Sequence, residues 1–200
     1  MTMRIVGNKT LIGIDEAGRG PIAGPVAVGV FVVFNEKWMV KFRGVKESKQ
    51  LSRKSREVWY EKILKFKEEN ICDFAVNMMP AEGIDKYGIS KCVQRGIDRG
   101  LRQLAKRDSI TAESRILLDG LLRAPENYKY QKTIIGGDRK EKVIALASIC
   151  AKVARDRFML KMNDRFPQYG FDKHKGYGTK VHYAAIAIYG PSKLHRLTFL

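Results

Sequence analysis

No run of about 18 apolar residues occurs anywhere in the chain, so a helix crossing a bilayer is not expected. Met1 to Thr10 lacks the charged-then-apolar layout of a secretion signal, and the expected location is cytoplasmic. Cysteine is scarce: Cys72, Cys92 and Cys150 are odd in number and widely spaced. With no CxxC or CxxxxH grouping, a disulfide framework and a zinc ribbon are both excluded, and buried reduced thiols are expected. There is no internal repeat, low-complexity tract or linker, so the 200 residues read as one domain. Acidic residues are few, 21 Asp and Glu against 38 Lys and Arg. The net charge of +17 points to a polyanion as partner.

The basic surplus is uneven. Residues 139–200 carry 13 Lys and Arg against four acids, and this third is expected to face phosphates. Along the chain, Thr10–Ile14 and Pro25–Phe34 read as two strands joined by a turn over 15–21. Ser52 offers an N-cap to a helix over about 52–68, whose Trp59, Ile63 and Phe66 recur at helical spacing. Ile71–Met79 reads as a strand closed by Pro80, and Ile89, Val93, Ile97, Leu101 and Leu104 mark one face of a second helix, with Gly96 and Gly100 against it. Arg115–Asp119 and Lys132–Gly136 are short apolar runs expected to be buried parallel strands. Glu141–Phe166 places Ala147, Cys150, Ala151, Ala154, Phe158 and Met162 on one helical face, and Lys180–Tyr189 makes a last short helix. This order implies an α/β fold, one sheet with helices on its faces.

Three of these strands deliver carboxylates near their ends: the adjacent pair Asp15 and Glu16, then Asp119, then Asp138 just past the third strand. Two anions side by side at the end of an apolar strand repel and are partly desolvated, which calls for a shared cation. Taken singly, Asp119-Gly120 is also an ordinary turn, and Asp138 with Glu141 has the spacing of a capping pair. If the strands are neighbours, the four acids converge. An all-oxygen set suits Mg²⁺ or Mn²⁺ over zinc, and two such ions about 3.5–4 Å apart would serve phosphodiester hydrolysis.

The segment Gly13-Ile-Asp-Glu-Ala-Gly-Arg-Gly-Pro21 resembles the DExGRGP signature of the ribonuclease HII family. Glu47-Ser-Lys-Gln-Leu51, Leu117-Leu-Asp-Gly120, Gly137-Asp138 with Ala147–Asp156, Phe166–Phe171 and His174-Lys-Gly-Tyr-Gly-Thr179 continue the likeness in order over nearly the whole chain. It departs from the family at Glu47, where Asp is usual, and at Gly136, where Lys is common. The resemblance implies a ribonuclease H-like fold, a mixed five-stranded sheet flanked by helices with a small helical C-terminal extension. It implies a catalytic domain over residues 1–166 and a C-terminal substrate-binding segment over 167–200 in the same structural unit.

It implies an endonuclease that hydrolyses the ribonucleotide strand of RNA·DNA hybrids and cuts 5′ of ribonucleotides embedded in duplex DNA, leaving 3′-hydroxyl and 5′-phosphate ends. Asp15, Glu16, Asp119 and Asp138 would be the catalytic, metal-binding set, with two Mg²⁺ or Mn²⁺ ions. Gly18, Arg19 and Gly20 would lay backbone groups against the 2′-hydroxyl, the feature that tells RNA from DNA, and Tyr177 would pack on the adjacent sugar. Lys49, with Arg19 and the C-terminal basic residues, would contact phosphates. A monomer without membrane attachment is expected.

Two rival readings bear on the same residues. Gly18-Arg-Gly-Pro-Ile-Ala23 formally satisfies a dinucleotide-binding G-x-G-x-x-A, but Pro25–Phe34 beyond it is β-branched and strand-like where that motif must open a helix. A non-catalytic nucleic-acid-binding module accounts for the charge and leaves the strand-end carboxylates unexplained.

Overall fold

The computed structural model describes residues 10–45 and 51–200. Five strands, β1 (Leu11–Ala17), β2 (Val26–Val33), β3 (Cys72–Met79), β4 (Arg115–Asp119) and β5 (Gln131–Ile134), form one mixed sheet in the order β3-β2-β1-β4-β5. β1 to β3 are an antiparallel meander, while β4 and β5 add in parallel on the other side of β1. The central strand β1 therefore shares its carboxyl end with those of β4 and β5, and a ligand site is expected outside such ends.

Alternation along the strands divides the core in two. Ile12, Ile14, Val28, Val30, Val32, Ile116 and Leu118 face α3 (Ile89–Ala105, following α1 at Arg53–Glu68 and α2 at Ala81–Tyr87). Leu11, Phe31, Val33 and Leu117 face α1 and α5 (Lys142–Arg165, following the short α4 at Gly137–Lys140). The two glycines that weaken α3 as a sequence signal make its packing possible: a Cβ on Gly96 or Gly100 would lie 2.6 Å from a methyl of Val28 or Val30. On the opposite face Gly13 and Gly29 admit the backbone of α5, since a Cβ there would meet the Val143 or Ala147 carbonyl at 2.1 or 2.3 Å.

Several expectations need correction. β1 runs through Asp15 and Glu16 to Ala17 and pairs Asp15 with Gly29, so the acid pair lies inside the strand instead of opening the turn. β5 is an edge strand with Lys132 and Thr133 exposed, because nothing flanks it on its outer side. The N-terminal half of α5 is buried all round from Val143 to Ala151, since it is enclosed between the sheet and other helices, and not along a single stripe. α2, a short helix of two turns begun at Pro80, carries no periodic signal. The Ser52 side chain does cap α1, accepting from the Ser55 amide.

The C-terminal segment closes over the loop between β1 and β2. α6 (Phe171–His174) and α7 (Lys180–Tyr189) pack Phe171 and Ala185 against Ala23 and Met159. Backbone bonds run from Ile22 N to Gly176 O (2.9 Å), Gly24 N to Leu194 O (2.7 Å) and Arg196 N to Ile22 O (2.8 Å). Cys72, Cys92 and Cys150 are buried free thiols.

Candidate active site

Consecutive residues of a strand point to opposite faces, and this separates Asp15 from Glu16. Asp15 faces α5, where the Ser148 hydroxyl bonds its carboxylate; its Oδ1 also accepts from the Glu16 amide at 2.8 Å. Burial holds the Asp15 carboxyl well above the usual carboxylate range; the Ser148 bond opposes this, and the charges of Glu16 and Asp119 add to it. Glu16 turns toward α3, beside Ser90, Val93 and Gln94. Its Oε1 accepts from Arg19 Nε at 2.9 Å.

Asp119, at the carboxyl end of β4, is the third carboxylate to reach this region. Asp15, Glu16 and Asp119 line one cavity of about 240 Å³ together with Gly18, Arg19, Gly20, Ser148, Lys152 and Tyr177. Asp119 Oδ1 accepts from the Gly137 amide at 2.6 Å, which ties β4 to the start of α4. Asp138, the next residue, is buried in the first turn of α4 and is not among the residues lining that cavity. Asp138 is thus one residue from an atom that Asp119 holds, while the other three carboxylates share the cavity wall. As a pair, Asp138 and Glu141 do not cap a common helix: Glu141 precedes α5 and Asp138 lies within α4.

The donor set fits a hard divalent cation. Glu16 Oε2 is buried without a hydrogen-bond partner, and a nearby positive charge would oppose the burial that raises the Asp15 carboxyl. All candidate donors are oxygens. Among the described residues no group of three or more His, Cys, Asp or Glu side chains is already gathered as a ligand set, consistent with Asp15 and Glu16 leaving the strand on opposite faces.

The loop after β1 is held by two buried arginines that composition alone counts among the phosphate-facing charges. Arg196, fully buried, donates through Nη2 to Gly18 O (2.7 Å), through Nη1 to Arg19 O (2.9 Å) and through Nε to Gly24 O (2.9 Å). Arg155, also buried, donates to Pro25 O (2.9 Å) and Ala23 O (3.1 Å). Neither guanidinium has an ion-pair partner among the described residues; each binds backbone carbonyls, and burial pushes Arg196 down to about 10. Gly18 has φ +88°, and a Cβ there would lie 2.0 Å from Arg155 Nε, so this position admits only glycine without displacement. Gly20 by contrast faces open space.

Tyr177 lines the same cavity with 47% of its surface exposed. Its amide donates to His174 O (3.0 Å), and its carbonyl accepts from His182 Nδ1 (2.9 Å) and the Thr179 amide (2.9 Å). Lys152, one helical turn from Ser148, places a cation at the cavity and donates to Asp156 Oδ1 at 3.1 Å. Ser148, Arg155 and Arg196 escape sequence reasoning in these roles, and Lys152 is legible only as one of the basic residues of the last third expected to face phosphates. Their signal is positional, since Ser148, Lys152 and Arg155 recur at helical spacing on the α5 side that meets β1. Lys49 and the segment 46–50 lie outside the described residues.

The chain resembles known proteins over nearly its whole length. The family model described as Ribonuclease HII matches residues 12–200. Ribonuclease HII of Caldicellulosiruptor bescii is 40% identical over 194 residues, covering 97% of this chain and 88% of that protein. Ribonuclease H2 from Pyrococcus horikoshii OT3 superposes with a TM-score of 0.72 at 26% identity, over 94% of this chain and 93% of that one. Bst-RNase HIII, solved in complex with Mn²⁺, gives a TM-score of 0.75 at 19% identity, over 98% of this chain and 68% of that one, and speaks to the fold alone.

Proposed function

The chain belongs to the ribonuclease HII family and is a ribonuclease H, and from that premise we propose that it cuts 5′ of a ribonucleotide embedded in duplex DNA as well as within RNA·DNA hybrids. One observation carries the reading: three carboxylates, the Gly18–Gly20 loop and the Tyr177 ring line a single cavity. A non-catalytic binding module would gain nothing from anions set against phosphates.

In this reading Asp15, Glu16 and Asp119 hold divalent cations at the cavity, and Asp138 joins them from α4. A bound pair of Mg²⁺ or Mn²⁺ ions supplies activation of the attacking water and stabilisation of the leaving oxygen. The protein's own groups set position. Ser148 orients Asp15 through its hydroxyl. Arg196, by holding the Gly18 and Arg19 carbonyls, fixes the peptide planes of the loop that meets the 2′-hydroxyl, a group that can both donate and accept. Gly20 lets that backbone approach the ribose closely. The Tyr177 ring packs on the neighbouring sugar. Lys152 supplies a cation to the phosphodiester, where charge gives affinity without sequence preference. Arg19 contacts phosphate after leaving Glu16, and Lys49 does so from its own segment.

Residues 167–200 form the substrate-binding segment of the same unit, since they carry Tyr177 and Arg196. Among the described residues no helix is long and apolar enough to cross a membrane. The buried free thiols suit a reducing cytoplasm, and three of the four carboxylates, the Gly18–Gly20 loop and Tyr177 come to the cavity from one chain, which suits a monomer. The test is incubation with a labelled RNA·DNA hybrid, a DNA duplex holding one ribonucleotide and an all-DNA duplex in Mg²⁺, Mn²⁺ or EDTA. Metal-dependent cutting of the first two, with the all-DNA duplex intact, supports the reading; an intact single-ribonucleotide duplex in both metals contradicts it.

A further inference from the structure

All three histidines of the chain lie together in the C-terminal segment, away from the carboxylates. His174 and His182 stack with centroids 4.3 Å apart, and Phe171 sits against the three rings. His182 Nε2 and His195 Nε2 are 3.0 Å apart. Three imidazoles this close, with two of them buried, are compatible only with a defined placement of protons.

The backbone fixes that placement. The Ser192 amide donates to His195 Nδ1 at 2.8 Å, shorter than the 3.3 Å to the Ser192 carbonyl, so Nδ1 of His195 is an acceptor and the proton sits on Nε2. That Nε2–H donates to His182 Nε2, which is therefore bare. His182 carries its proton on Nδ1 and donates it to the Tyr177 carbonyl at 2.9 Å. His174 accepts the Gly176 amide on Nδ1 (3.2 Å) and donates from Nε2 to Tyr169 O (2.8 Å). A single directed chain of hydrogen bonds runs from Ser192 N–H through His195 and His182 to Tyr177 C=O, with every imidazole neutral. Burial lowers the affinity of all three for a second proton.

We propose that His182 and His195 are positioning residues for Tyr177, holding the backbone of this aromatic at the cavity mouth and so setting the enzyme's preference for a ribonucleotide followed by a deoxyribose. The proposal rests on the reading of Tyr177 as the residue that packs on the sugar. His195 is bonded in sequence to Arg196, whose guanidinium holds Gly18 O and Arg19 O. One dipeptide is thereby tied to both reading elements, the Gly18–Gly20 loop directly and Tyr177 through His182. Strand-end carboxylates take no part in it, so the chain acts on where the cut falls and not on the hydrolysis.

Two measurements test it. The first, on the wild-type protein, is long-range ¹H–¹⁵N correlation of the imidazole rings at neutral pH: the expected result is an Nδ1-protonated His182 beside Nε2-protonated His174 and His195. An Nε2-protonated or doubly protonated His182 overturns the chain. The second is a double-mutant cycle in which kcat/KM is compared on a duplex with one ribonucleotide and on a continuous hybrid. His182→Phe, which keeps a ring but has no donor, is expected to lower the ratio about tenfold, as a small misplacement of a substrate contact does. His182→Asn, whose amide places a donor where Nδ1 stood, is expected to restore much of it. In a Tyr177→Ala background His182→Phe is expected to have no further effect. If the two losses multiply, or if His182→Phe leaves the ratio unchanged while Tyr177→Ala lowers it, the positioning role is wrong. If Tyr177→Ala itself leaves the ratio unchanged, it is the reading of Tyr177 that falls.

Discussion

Arg196 Nη2 donates to the carbonyl oxygen of Gly18 at 2.7 Å across 178 residues of chain, from a guanidinium with no accessible surface. Arg196 thereby holds the turn that follows β1. Arg196→Lys is expected to weaken cleavage beside an embedded ribonucleotide by about tenfold or more, since an ammonium cannot span three carbonyls in fixed geometry. The melting temperature should fall as well, because buried carbonyls left without donors cost about 1–3 kcal/mol each. Kinetics and calorimetry on the variant check both, and wild-type values for both would remove Arg196 from this role.

Substitutions at the glycines of the loop are expected to separate folding from the proposed recognition. Gly18→Ala is expected to destabilise, as its positive φ costs about 1–2 kcal/mol and its new Cβ meets Arg155. Gly20→Ala has open space around it and should unfold at the wild-type temperature while losing cutting at a single ribonucleotide. Thermal melts beside cleavage assays discriminate the two, and a strongly destabilised Gly20→Ala would contradict the geometry described.

Asp15→Asn and Asp119→Asn are each expected to retain the fold and duplex binding while losing at least about 100-fold in turnover, a carboxamide being a weak ligand for a hard cation. Asp15 adds a thermodynamic signature. Its folded carboxyl binds a proton more tightly than the unfolded one, so its contribution is favourable below the unfolded value and is lost as pH rises through the raised folded value. In EDTA at neutral pH Asp15→Asn should therefore melt higher than wild type. Added Mn²⁺ should raise the melting temperature of the wild type and much less that of the variant.

Acid acts on the histidines with the opposite sign. His182 is held neutral down to about 4, against an unfolded value near 6.5. The unfolded chain binds the extra proton first, so this contribution is intact above about pH 7 and declines as pH falls toward 4. The full decline is on the order of 3 kcal/mol. Chemical denaturation between pH 7.5 and 4.5 should show this loss, and His182→Phe should flatten it. An equal slope in wild type and variant would mean that His182 is not the group responsible.

Much of the fold is legible because local and global signals agree. Leu11 to Ile14, Val26 to Val33 and Ile116 to Leu118 are apolar runs that end up as the sheet's centre, and Ser52 caps the helix it announces. Asp15, Glu16 and Asp119 stand out since acids following such runs have no folding purpose, and the structure brings these three to one cavity. What escapes is tertiary. Arg155 and Arg196 look like two more charges in a basic third, and only the fold shows them buried against carbonyls. Gly96 and Gly100 count against a helix until Val28 and Val30 are seen to occupy their place. The histidine chain joins His182 to His195, 13 residues away, through ring nitrogens and leaves no periodic trace.

The central claim, that one cavity both reads a ribonucleotide and cuts beside it, is tested most directly by the position and chemistry of the cut in a DNA duplex holding one ribonucleotide, with Mg²⁺ or Mn²⁺ present. The expected product is a single incision on the 5′ side of the ribonucleotide, leaving a 3′-hydroxyl and a 5′-phosphate, and none in EDTA or in all-DNA duplex. Incision on the 3′ side, or cutting of hybrids with the single-ribonucleotide duplex left intact, would contradict the roles given to the Gly18–Gly20 loop and Tyr177.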